Sequence, residues 1–314
     1  MKTLLHGWNR FWFAEQPATP IALFRILFGV LLLQVLLVEL LPNFAYFYGV
    51  RAIIDTSSTV TYWWNAQPRF DLFLLGPETD AFRLSLFFVL VVAAFTLTIG
   101  LFTRVSAIFV YLGLLTLHQQ CPLNRDGGDA FMQIVALLLC FSHCKDAYSI
   151  DCLLEKKRNQ SANCGQNALF KPWAQRLLQV QLAIIYGHSF INKAIGPAWQ
   201  NGTAFYVSTH MADFIRFPLP HFMEDLLISQ ILTYYTLVVE LFMFTLVWFK
   251  PFRYWVLLSG VILHCGIEYT MNLPGFETLM VASYVNFIEP ADLNRVIDWL
   301  KRKLFTLLSL FRYE

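Results

Sequence analysis

IALFRILFGVLLLQVLLVELL, residues 21–41, is the stretch that decides how this chain is read. It is apolar apart from Arg25, Gln34 and Glu39, and about 20 helical residues suffice to cross a hydrocarbon layer of roughly 30 Å. No small-x-small cleavage pattern follows it, so it reads as a retained span and not as a secretory leader. The rest of the 314-residue chain agrees: it is 57 % hydrophobic and 14 % charged, where soluble domains carry about 25 % charged residues. The charges gather in patches between further apolar runs at 81–101, 105–121, 129–144, 173–193, 225–249, 252–271 and 274–290. Together with a first span at 20–41 they predict an all-α, polytopic transmembrane bundle of about eight spans.

The flanks differ from the bundle. Residues 1–19 are amphipathic and aromatic, which suits a segment lying in the membrane surface, and 291–314 reads as a basic amphipathic tail. Trp12, Trp63, Trp64, Trp173, Trp199 and Trp248 fall near the ends of the runs, where indole rings prefer the headgroup zone. If eight spans alternate, sixteen Lys and Arg residues fall on the side of the N-terminus and four on the other, with Arg83 at a boundary. The positive-inside rule then places both termini in the cytoplasm of a multi-pass cell-membrane protein. A net charge of +2 confined to loops offers nothing to nucleic acid, and membrane lipids are the expected neighbours. The six cysteines show no CxxC and no paired ligand spacing, so structural cysteines and no metal are expected.

Polar residues at membrane depth are the candidates for function, because a charge in hydrocarbon costs about 3 kcal/mol even on the mildest scale. Arg25 either snorkels to the headgroups or pairs with a buried acid or carbonyl. Glu240, in TYYTLVVELFMF, is either one half of a structural pair (with Arg176, for instance) or a group facing a polar cavity. His264 and Glu268 stand at i,i+4 and share a helix face, so the carboxylate is placed to orient the imidazole; an interhelical hydrogen bond is the competing account. YGHSFINKAIGPAWQNGTAFY, residues 186–206, concentrates His188, Asn192, Lys193 and Trp199. A partly desolvated lysine is a candidate base, and the same lysine at the interface is merely solvated. Asn124, Arg125, Asp126 and Asp129 lie on the same side of the eight-span plan. They are expected to close over one outward-opening pocket with Lys193. No phosphate loop, HExxH or nucleophile elbow is present.

Several segments taken together resemble one family. PATPIALFRILFG (17–29), IGLFTRVSAIF (99–109), LNRDGGDAF (123–131), AYSIDCLL (147–154), the lysine-bearing stretch 173–206 and LHCGIEY (263–269) are similar to the membrane domain of vitamin K-dependent gamma-glutamyl carboxylase. That domain recurs in bacterial membrane proteins known as HTTM-domain proteins. The resemblance implies oxidation of a reduced, vitamin K-like quinone by dioxygen, with carbon dioxide trapping a carbanion. It implies Lys193 as the base and His264 as the later-span histidine. Two details depart from the pattern: a single lysine, Lys193, follows Asn192, and Asn124, Arg125 and Asp126 stand where the carboxylase has Asn-Asn-His.

The resulting expectation is a membrane enzyme oxidising a lipophilic quinol-type substrate. Lys193, His264 and Glu268 would be catalytic, and His188, Asn192, Trp199, Asn124, Asp126 and Glu240 would line the substrate. A small peptide is the other partner considered. The rival expectation is a non-catalytic maturation, export or lipid-binding component using the same polar groups for packing and recognition.

Overall fold

Helix starts and stops in this chain follow local chemistry. Pro20 occupies the first turn of α2, where its missing N–H is harmless. Thr79 accepts from the Phe82 amide to open α4, and Gly100, at φ +71°, closes it. Asp126 and Asp129 form a reciprocal capping box at the start of α6. A computed structural model places these elements; it describes residues 2–54, 70–122, 126–159, 163–166, 168–212, 215–273 and 275–310.

In chain order the helices are α1 (Lys2–Phe13), α2 (Thr19–Gln34, continued by a π-helical turn Val35–Leu40), α3 (Phe44–Tyr48), α4 (Asp80–Ile99) and α5 (Thr103–Gln120). There follow α6 (Gly127–Phe141), α7 (Ile150–Arg158), α8 (Trp173–Ala194), α9 (Pro197–Gln200) and α10 (Ala204–Thr209). The last are α11 (Leu226–Thr245, continued by a 3₁₀ turn Leu246–Trp248), α12 (Lys250–Thr270), α13 (Phe276–Ser283, continued by a 3₁₀ turn Tyr284–Phe287) and α14 (Pro290–Leu310). A two-residue antiparallel pair, β1 (Gln16–Pro17) with β2 (Leu169–Phe170), ties the entry of α2 to the segment before α8.

The expected eight spans are not what the helices provide. Among the described residues three helical stretches are long and apolar enough to cross a membrane: Thr19–Leu40, Asp80–Ile99 and Leu226–Trp248. The other apolar runs become helices that fail on length or polarity. Helix α6 has 15 residues and α13 only 8, so at 1.5 Å per residue they reach roughly 22 Å and 12 Å. Helix α8 is 22 residues long but carries Gln175, Arg176, Gln179, His188, Asn192 and Lys193. Helix α12 carries Lys250, Arg253, His264 and Glu268. The protein is therefore a multi-pass membrane protein with three candidate spans, and the charge tally that assumed eight alternations no longer assigns a side to its termini.

Packing explains how the polar helices are accommodated. Helix α2 lies against α4, α13 and α14; α5 bridges α4 and α6; α8 pairs with α11, and α11 with α12. The short α13 sits between the two groups, touching α12, α2 and α6. Phe24, Phe28, Leu32 and Leu36 of the first span are fully buried and belong to one core cluster with Leu97, Leu139 and Leu279. The outward faces stay apolar, with Val92 and Phe95 of α4, Val105 and Phe109 of α5 and Val238 and Phe242 of α11 exposed. Such a continuous apolar exterior is a surface for lipid.

Three of the family-like segments meet in one junction. Arg25, fully buried, donates to the Tyr148 carbonyl at 2.6 Å. Asp151 accepts from the Phe102 and Thr103 amides, both at 2.8 Å, and from the Thr103 hydroxyl at 2.7 Å. Its own amide donates to Gly100 O. Among the described residues, the two non-glycine positions with left-handed backbone, Phe102 and Tyr148, both lie here. FRILFG, GLFTR and YSID are thus pieces of one turn-locking device.

Candidate functional site

Helix α8 presents Gln175, Gln179, Leu182, Tyr186, Ser189 and Lys193 at alternating spacings of four and three. That spacing keeps all six on one face of a helix. Each polar member finds a partner across the bundle. The Gln175 and Gln179 amides both donate to Asn286 O, at 3.0 and 2.5 Å. The Tyr186 hydroxyl lies 2.5 Å from His264 Nε2 and 2.6 Å from the Tyr284 hydroxyl. The Ser189 hydroxyl donates to Glu240 Oε1 at 3.1 Å, and Lys193 Nζ is bonded to the same oxygen.

The central knot of this face is the buried set Glu277, His264, Tyr186 and Tyr284. His264 Nδ1 is bonded to Glu277 Oε2, and all four residues are at most 3 % exposed. With Glu277 ionised, Nδ1 carries the ring proton and Nε2 accepts from Tyr186, which in turn accepts from Tyr284. The other carboxylate oxygen, Glu277 Oε1, is buried without a hydrogen-bond partner. A cavity of about 410 Å³ is lined by Arg216, Phe217, His264, Cys265, Glu268, Tyr269 and Glu277, with Thr278 and Val281.

Glu268 does not orient His264. It pairs with Arg216, whose guanidinium also donates to the Glu268 carbonyl at 3.2 Å. The segment before α11 delivers that arginine: Ile215 bridges Met271, and the Arg216 amide donates to Thr270 O. An i,i+4 rule sees only one helix, whereas the acid that reaches the imidazole arrives from α13. Sequence reasoning passed over Glu277, Tyr186 and Tyr284. An acid in the first turn of an otherwise apolar segment was the signal that marks Glu277.

The other candidates separate into different places. Lys193 is held by Glu240 and lies 5.0 Å from the Trp199 ring, so Glu240 pairs with Lys193 and not with Arg176. Arg176 instead bonds Gln179, Gln16 and the Phe11 carbonyl. His188 and Asn192 bond each other at 3.1 Å on the exposed side of α8, away from the buried face. Asp126 lines a second cavity of about 350 Å³ with Glu39, His118 and Asp129, between α2, α5, α6 and the turn before α13. Neither of these two cavities is lined by Lys193, so among the described residues neither of them brings Lys193 together with Asp126 and Asp129. Asn124, Arg125, Trp63 and Trp64 lie outside the described residues. No cluster of three or more metal-ligating side chains occurs among the described residues.

Comparison with known proteins returns one answer at family level. No curated protein and no solved structure matches the chain. The model of the HTTM domain matches residues 13–291, which takes in all the helices described above from α2 to α13. With nearly the whole bundle inside that match, the chain belongs to the HTTM domain family.

Proposed function

We propose that this protein is a membrane enzyme that removes a proton from a lipophilic substrate at the Glu277–His264–Tyr186 network. The carrying observation is the buried, partner-free Glu277 Oε1 beside a cavity of about 410 Å³. In this reading Glu277 Oε1 takes the substrate proton. His264, bonded to Oε2, steadies the charge, and Tyr186 and Tyr284 hold the imidazole in one tautomer. Resemblance to the carboxylase membrane domain suggests a quinol-type substrate whose phenolic O–H is opened, with dioxygen as oxidant. Lys193 then serves as an anchoring pair with Glu240 and Trp199, since it donates to a carboxylate and lines neither cavity.

The test is turnover of a reduced naphthoquinone under dioxygen by protein in lipid nanodiscs, followed as oxidised product. Glu277→Gln and His264→Gln are expected to lose on the order of 10²-fold or more, the usual contribution of a positioned base. Lys193→Met is expected to stay within about 10-fold of the parent. Full turnover in Glu277→Gln overturns the assignment. A second reading, a non-catalytic lipid-binding or maturation component, draws on the saturation of both His264 ring nitrogens by Tyr186 and Glu277. It is the outcome if ligand binds and no variant, nor the parent, turns it over.

A further inference from the structure

The cavity beside His264 holds more information about its occupant than the base alone. Glu268 uses Oε1 for Arg216 and leaves Oε2 buried without a partner. Glu277 uses Oε2 for His264 and leaves Oε1 buried without a partner. Both acids line the same cavity. Two unsatisfied carboxylate oxygens in one recess are costly, about 1–3 kcal/mol each, unless a ligand supplies donors. Arg216 already balances the charge of Glu268, and the imidazole, with its single proton on Nδ1, serves Glu277 as a neutral hydrogen-bond donor. An ammonium ligand would meet the Arg216 guanidinium, and a phosphate would meet both carboxylates. A neutral hydroxyl meets neither objection.

The cavity wall adds a stacking surface. Phe217 and Tyr269 lie ring to ring at 5.5 Å and an interplanar angle of 29°. They are 47 % and 42 % exposed, and both line the cavity. Flat rings of this kind receive either an aromatic ring or the C–H face of a sugar.

We infer that this cavity binds the neutral head group of an amphiphile carrying at least two hydroxyls, one donating to Glu277 Oε1 and one to Glu268 Oε2, with the head group's flat face on Phe217 and Tyr269. The inference rests on the proposed function for the location of the reacting hydroxyl, but it concerns recognition and is read without turnover. A hydroquinone and a polyol share this chemistry.

Cys265 supplies the readout, because it lines the cavity and is an exposed free thiol, whereas Cys121, Cys140 and Cys144 are buried and Cys152 is bonded to Cys164. Protein in nanodiscs, free of sugar-headed detergent, is labelled with a maleimide in the presence of a decyl hydroquinone, decyl glucoside, decylamine or decyl phosphate. Thermal stabilisation by each compound is measured in parallel, so that a slow thiol does not leave the question open. Expected is at least a 10-fold slowing of Cys265 labelling, or a rise in Tm, with the hydroquinone, the glucoside or both, and neither effect with the amine or phosphate. Protection by the hydroquinone alone marks a phenolic head group, and by the glucoside alone a polyol. Glu268→Gln should weaken protection at least 5-fold, and Phe217→Leu, which keeps the carboxylates, should weaken it as well. Equal protection by the amine or phosphate, or none by either hydroxylated compound in both readouts, overturns the inference. Protection that persists in His264→Gln without turnover separates recognition from the proposed chemistry.

Discussion

At the residue scale, the decisive facts are which acid meets which base. Glu240 is buried in the third candidate span and is satisfied on one oxygen by Lys193 and Ser189. Removing one partner of such a pair strands the other, which is far worse than removing both. Glu240→Leu alone is therefore expected to lower stability by about 2–4 kcal/mol, toward the low end because Lys193 is partly exposed. The double variant Glu240→Leu/Lys193→Met should recover most of that loss. Thermal denaturation of the four proteins in one detergent checks this, and equal losses in the single and double variants would reject the pairing as a stability determinant. The sequence marked Glu240, Lys193 and His264 as costly at membrane depth, which is legible from one helix at a time. It could not pair them, because Lys193 and Glu240 stand on different helices and the partners of His264, Glu277 and Tyr186, come from two further elements.

At the element scale, the junction of α2, the α4–α5 turn and α7 is the part most sensitive to small change. A Cβ on Gly100 would stand 2.1 Å from Arg25 Nη1 and 2.4 Å from Ser149 Cβ, at a backbone φ of +71°. Gly100→Ala is expected to cost at least about 2 kcal/mol, from left-handed strain plus overpacking. A Tm within 1 °C of the parent, against an expected drop of roughly 4 °C or more, would show that the junction can give way. At the start of α14, Glu289 sets a pH dependence. Burial alone would raise its carboxyl, but Arg253 at 2.7 Å and Lys250 at 3.2 Å outweigh that and hold its pKa below the ordinary value of 4.5. A lowered folded-state pKa gives stabilisation that is complete above the ordinary value and lost as pH falls through the lowered one. The Tm gap between the parent and Glu289→Gln, about 1–2 °C for so exposed a pair, should close on acidification from pH ~6 to pH ~3.5. A gap that widens instead contradicts the pairing.

At the scale of the whole molecule, three long apolar stretches and a lipid-facing exterior make this a membrane protein. The Cys152–Cys164 disulfide lies in the segment that an eight-span charge tally assigned to the cytoplasm. Disulfides persist in oxidising compartments and are reduced in the cytosol. Denatured, unreduced protein from isolated membranes is therefore expected to take up four thiol labels, and six after reduction; mass spectrometry distinguishes the two. Six labels before reduction would put that segment on a reducing side. The sequence by itself determined that the chain is helical and membrane-embedded, because hydrophobic run length and helix spacing are local properties. It also marked the chemically charged positions, because a polar side chain in an apolar run needs no neighbour to be conspicuous. How many runs form helices long and apolar enough to cross a membrane, three among the described residues, emerged only from the structure, because helix bounds and not run length set that number. So did the site: His264 found its carboxylate on α13 and, 78 residues away, its hydroxyl on α8, and Glu268 was drawn off by Arg216, 52 residues away. Only α13, 13 residues downstream of His264, was near in sequence, and the turn at Gly275, with φ +78°, is what folds it back.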